Sequence, residues 1–173
     1  EFRRVLFRSA SSHKFKMQSH QDMVREFTQA SGFDVPKKPH PMSETQVEFL
    51  CSMIVDETLE LLATVKSADY AKEFLLETIT SAKFVPQVQS KDPAVILAEQ
   101  ADALVDIEYY MLNAACKNGI SVDPVFEEAH NANMRKRDPQ TLQFIRHPGT
   151  GKILKPEGWK APDVISIFRQ QLE

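Results

Sequence analysis

The chain has 173 residues, 21 Lys and Arg against 24 Asp and Glu, and 42% hydrophobic side chains. That length suffices for one domain with a proper core. The formal charge of −3 speaks against a nucleic-acid-binding surface, and no apolar run approaches the roughly 18 residues of a membrane span, so a cytoplasmic protein with neither partner is expected. Five glycines, no strand-like alternation and long helical periodicities point to an all-α helical bundle.

In chain order, Glu1 to Ser9 read as the translation of a sequencing-adapter primer, and residues 10–18 as an uncertain N-terminal segment, leaving 19–173 as a single all-α domain. Ser19 with Asp22 opens a short helix that turns Met23, Val24 and Phe27 inward and closes at Gly32. Three prolines between Pro36 and Pro41 make an extended linker. Ser43 and Gln46 form a capping box for a long helix reaching about Val65. A further helix runs from about Ala68 to Ala82, and Phe84 to Lys91 is a loop. Asp92 followed by Pro93 starts a central helix that Lys117-Asn118-Gly119 ends, and Asp123-Pro124 repeats the start signal. A polar stretch from Arg137 to Ala161 follows, of a length that is usually functional or disordered. Pro162 to Leu172 is the last helix. Cys51 and Cys116, lying in helical patterns, read as a buried, reduced pair of thiols.

The chemistry lies in two of these helices. Val47, Leu50, Ile54, Glu57 and Leu61 recur at helical spacing, so Glu57 interrupts an apolar stripe with Glu60 one turn on. The central helix is apolar almost all round, yet carries Glu99, Asp102 and Asp106 on one narrow face. Neither Val47–Val65 nor Pro93–Cys116 contains a Lys, Arg or His. Ionised acids buried without a partner are too costly to persist, so a cation is expected among them. Hard carboxylate oxygens suit Mg²⁺ or Mn²⁺, which bind phosphate oxygens alongside. A glutamate beside the cation, Glu57 or Glu60, suits a general base for an attacking water. Arg135, Lys136, Arg137, Lys152 and Lys155 follow as counter-charges for a polyphosphate, with Asn133 as a neutral donor, and Tyr109 and Trp159 are candidate base-stacking rings.

Four motifs in order, Val55-Asp56-Glu57-Thr58-Leu59-Glu60-Leu61, Glu99-x-x-Asp102-x-x-x-Asp106-x-x-Tyr109, the run from Gly119 to Lys136, and Gly151-Lys152-Ile153-Leu154-Lys155-Pro156-Glu157-Gly158-Trp159, resemble the all-α nucleoside triphosphate pyrophosphohydrolases. This is the MazG-like and phosphoribosyl-ATP pyrophosphohydrolase-like group, and within it the chain is most similar to MazG-like proteins with dUTPase-type activity. The resemblance implies hydrolysis of a nucleoside triphosphate to monophosphate and pyrophosphate, with dUTP, dCTP or a modified nucleotide as substrate. It implies Mg²⁺ or Mn²⁺ on Asp56, Glu57, Glu60 and Glu99, Asp102, Asp106, and substrate contacts at Asn133, Lys136, Lys152 and Lys155. It also implies a homodimer or homotetramer. Ala103 stands where close relatives carry a glutamate ligand, which leaves Asp102 or Glu99 to take that place. Loss of that glutamate makes a non-catalytic nucleotide-binding relative one alternative. A di-iron bundle is another, suggested by Glu127-x-x-His130, but it needs a second such pair, and no other histidine has a glutamate three residues before it. His130 therefore reads as a packed residue.

Overall fold

Six helices follow one another in the computed structural model, which describes residues 18–83, 90–149 and 151–172: α1 (His20–Ala30), α2 (Glu44–Ala63), α3 (Ala68–Ser81), α4 (Pro93–Lys117), α5 (Asp123–Met134) and α6 (Val164–Leu172). Among the described residues extended pairing is confined to two isolated antiparallel bridges, Arg137 with Phe144 and Arg146 with Ile153. The fold is all-α, as the periodicities predict. No helix among the described residues is long and apolar enough to cross a membrane. The readings of residues 1–17, of most of the 84–91 loop and of Thr150 fall outside the described residues.

Local chemistry sets most helix ends. Ser19 Oγ accepts from the Asp22 backbone N–H, satisfying one orphan donor at the start of α1. Ser43 and Gln46 form the full capping box of α2: Ser43 Oγ accepts from the Gln46 N–H, and Gln46 Oε1 accepts from the Ser43 N–H at 2.8 Å. Asp92 Oδ1 accepts from the Ala94 N–H at 2.9 Å at the head of α4. At its tail Gly119 adopts φ +67°, and the Ile120 N–H reaches back to the Ala115 carbonyl. Two starts differ from expectation. Asp123 does not cap α5, because its carboxylate lies 3.3 Å from His20 Nε2 instead. The last helix begins at Val164 rather than Pro162, with Asp163 accepting from the Ser166 N–H and hydroxyl.

The chain forms two compact units. Of the described residues, the terminal unit holds those before Pro36 and those from Ala115 on; the central unit is Pro36–Ala114. In the terminal unit α5 packs against α1 and α6. The His20 imidazole stacks on Phe126 with ring centroids 3.8 Å apart, and Phe27 meets Phe144 edge-on. His130, its side chain 10% exposed, sets Nε2 3.6 Å from Glu26, a packed residue as expected. Arg146 donates to the Ser31 carbonyl and lays its guanidinium over the Phe33 ring at 4.0 Å, tying the Arg137–Ala161 stretch to the end of α1.

In the central unit α2 packs on α3, and Ala71 of α3 is buried. Gln100 of α4 exchanges two hydrogen bonds with the Met42 backbone, fixing α4 to the segment that enters α2. α2 and α4 do not pack on each other. Several sequence expectations are corrected here. Among the described residues the buried apolar side chains are Ala71, Ala115 and Ala132, and no large one is fully buried. In the stripe around Glu57, Val47, Leu50 and Ile54 are half-buried while Glu57 and Leu61 are exposed, and the apolar surface of α4 is open, with Tyr109 and Tyr110 about 70% exposed. Cys51 and Cys116 are free but exposed, because they lie on these uncovered helices. Val24 is also exposed, half of its surface remaining open.

Candidate functional site

Asp56, Glu57 and Glu60 lie on α2, and Glu99, Asp102 and Asp106 on α4, all in the central unit and all exposed. Helical spacing brings Glu57 beside Glu60, Glu99 beside Asp102, and Asp102 beside Asp106. No member of either set forms an ion pair with a Lys, Arg or His among the described residues. Nor do any three His, Cys, Asp or Glu among the described residues stand close enough together to hold a metal ion. Each set is thus prepared on its own helix, and the single chain does not join them. The desolvation argument that flagged these acids does not act within one chain, since water reaches all six. By chemistry alone, carboxylate oxygens of this kind are the donors a hard divalent cation takes. Tyr109 lies one turn beyond Asp106, with its ring open.

A second group of predicted residues lies in the terminal unit, built on the end of α5 and the 151–160 segment. Pro156-Glu157-Gly158-Trp159 makes a tight turn: the Trp159 N–H donates to the Pro156 carbonyl at 3.1 Å, and Gly158 takes φ +75°. That positive φ at the third position is the geometry of a type II turn, which glycine adopts without strain. The turn presents the indole to α5, where Nε1–H donates to the Ala132 carbonyl at 2.8 Å. Ala132 is buried and has only a methyl to displace, so the indole reaches the helix backbone. Lys155 Nζ lies 4.5 Å from the centre of the indole, and Lys136 Nζ 5.7 Å. Burial holds the Lys136 ammonium below the usual lysine range, and the charges of Lys155 and Lys152 lower it further. Asn133 is half-buried at the next-to-last position of α5, three residues from Lys136.

An open pocket of about 430 Å³ also borders Trp159, with Arg135, Arg137 and Lys160 set against Glu128, Glu157 and Asp163. Arg135 donates to Glu128 at 2.9 Å, and this hydrogen bond holds the Glu128 carboxyl below the usual carboxylate range. The pocket is therefore balanced in charge, whereas the lysine pair on the indole is cationic. Sequence reasoning passed over Glu128, although it precedes Arg135 by two helical turns and so shares its face. Arg146 also escaped notice as an anchor, since its partner, a backbone carbonyl, leaves no trace in a side-chain pattern.

The family model described as phosphoribosyl-ATP pyrophosphohydrolase matches residues 24–133. That span includes all six acids, Tyr109 and Asn133, and stops three residues before Lys136. Among solved structures, the chain is similar to the crystal structure of a "putative NTP pyrophosphohydrolase" from Exiguobacterium sp. 255-15. The two are 23% identical with a TM-score of 0.79, over 88% of this chain and 96% of that one, which shows a shared fold. A search of the curated proteins finds no match.

Proposed function

The chain belongs to the phosphoribosyl-ATP pyrophosphohydrolase family, and from that premise we propose that it hydrolyses a nucleoside triphosphate to the monophosphate and pyrophosphate, in the cytoplasm. The observation that carries this reading is the pair of acid sets on α2 and α4, which lie inside the matched span and have no protein cation beside them. Asp56, Glu57, Glu60, Glu99, Asp102 and Asp106 would hold Mg²⁺ or Mn²⁺, which when bound neutralises phosphate charge and polarises the phosphoryl group. Glu57 or Glu60 takes the proton of the attacking water. The ammonium groups of Lys136, Lys152 and Lys155 offset the charge of the leaving pyrophosphate. Asn133 adds a donor, and Tyr109 offers an open ring to the nucleoside.

We further propose that the protein works as a homodimer or homotetramer. The uncovered apolar surface of α4 supports this, since Val105, Tyr109, Tyr110 and Met111 stay more than half exposed. A second copy laid against α4 would bring further carboxylates to the acids of the first. Substrates of the dUTP, dCTP or modified-nucleotide class remain those the sequence resemblance suggests.

The test uses metal-stripped protein resupplied with Mg²⁺ or Mn²⁺ and a panel of ribo- and deoxynucleoside triphosphates, with pyrophosphate and orthophosphate measured separately. Metal-dependent release of pyrophosphate is expected. Nucleotide binding without any product would favour the non-catalytic reading and point to Ala103. Orthophosphate as the first product would overturn the proposed bond cleavage.

A further inference from the structure

We propose that Trp159 is a positioning residue that gathers Lys136 and Lys155 into one site for a polyphosphate tail, and that its indole is not a platform for the base. The inference deepens the pyrophosphohydrolase reading and rests on it for the identity of the anion.

Three observations carry it. The indole is committed to the protein, because its only N–H is bonded to the Ala132 carbonyl and its backbone N–H closes the turn with Pro156. Its ring already has both ammonium groups over it, within the roughly 6 Å at which a cation is attracted by an aromatic face. And neither Lys136 nor Lys155 forms an ion pair among the described residues, although each repels the other. Two like charges held together without an acid are unfavourable until an anion joins them. A phosphoanhydride, with adjacent charged oxygens, suits two ammonium groups sharing one ring. The charge-balanced pocket beside Trp159 offers no such excess. The family resemblance already points the two lysines at substrate; the role of Trp159 in gathering them rests on the geometry of this chain.

Trp159 is the sole tryptophan of the chain, so intrinsic fluorescence reads this site directly. The protein in excess chelator is titrated separately with inorganic pyrophosphate, a nucleoside triphosphate and the nucleoside alone. Pyrophosphate and the triphosphate are expected to change the emission, and the nucleoside to leave it unchanged. A response to the nucleoside but not to pyrophosphate would make the ring a base platform and overturn the proposal, as would silence from all three.

A second arm follows Lys136 by NMR of methylated lysines. Both Lys155→Met and Trp159→Ala are expected to move its titration upward and to weaken pyrophosphate about tenfold, the scale of one charge-assisted hydrogen bond. Trp159→Phe, which keeps a ring, should recover part of the loss. Unmoved titration in folded Trp159→Ala would remove the positioning role. If that variant fails to fold, the wild-type titrations still decide. A pyrophosphate response in a protein without turnover would discard the enzymatic reading and keep this one. Turnover with unchanged KM in Lys155→Met and Trp159→Phe would do the reverse.

Discussion

In the terminal unit His20, His130, Arg135, Arg146 and Trp159 each engage a group of the same unit: Asp123, Glu26, Glu128, the Ser31 carbonyl and the Ala132 carbonyl. In the central unit, the six acids of α2 and α4 form no ion pair among the described residues, and the tyrosines of α4 lie open. The first unit holds these side chains on partners of its own, and Trp159, so fixed, carries the lysine pair on its ring. The second leaves its carboxylates and much of its apolar surface exposed. Precise placement and open valence are thus divided between two stretches of one chain.

The largest effect is expected where the valence is open. Glu57→Gln, Glu60→Gln and Asp106→Asn should each lower turnover by roughly two orders of magnitude or more, the scale of losing a charge at a metal-assisted centre. Their circular dichroism should remain that of the wild type, because these side chains are exposed and unpaired. Wild-type turnover in any of them would remove that residue from the site.

Next comes the apolar face. Met111→Glu places a charge on the open surface of α4 and should reduce the sedimenting species to the 19.7 kDa monomer. An unchanged oligomer would move the interface elsewhere, and a monomeric wild type would dismiss it.

A smaller loss tests the placed unit. Gly158→Ala meets no steric obstacle, since nothing lies within 4 Å of the added methyl, but φ +75° costs a residue with a Cβ about 1 kcal/mol. A fall of about 2–4 °C in melting temperature is expected in a chain of this size. The fluorescence response to pyrophosphate should weaken with it, and a response that strengthens would show that the turn does not set the lysines.

The smallest effect is a pH dependence. Backbone hydrogen bonds from Thr141 and Gln140 hold Asp138 below the usual carboxylate range, and the Ser166 hydroxyl and N–H do the same for Asp163. A lowered folded pKa contributes stability that is present above the unfolded pKa and lost as pH falls through the folded one. Asp138→Ala should therefore lower the melting temperature at neutral pH, with the difference closing on acidification below about pH 4, the unfolded carboxylate value. A difference that persists in acid would assign the effect to packing rather than charge.

The helices, and most of their ends, were legible because they depend on neighbours in sequence. Ser43 with Gln46, Asp92 before Pro93, and Gly119 after Lys117 each act within one turn, so spacing alone identifies them. Asp123 looked like the same signal, but the imidazole of His20, more than a hundred residues earlier, holds its carboxylate. The acids were legible as an anomaly of pattern, and their grouping by helix follows from 3.6-residue periodicity.

What the sequence by itself determined is the all-α class, the acid sets on α2 and α4 and the candidate lysines, because residue type and period are local properties. Tertiary structure alone decided that the acid sets stay apart in one chain, that the apolar face of α4 is open, and that Trp159 bonds to α5 beneath two ammonium groups. Burial and long-range contact depend on how helices pack, and a periodic apolar stripe is the same in sequence whether its cover comes from its own chain or from another.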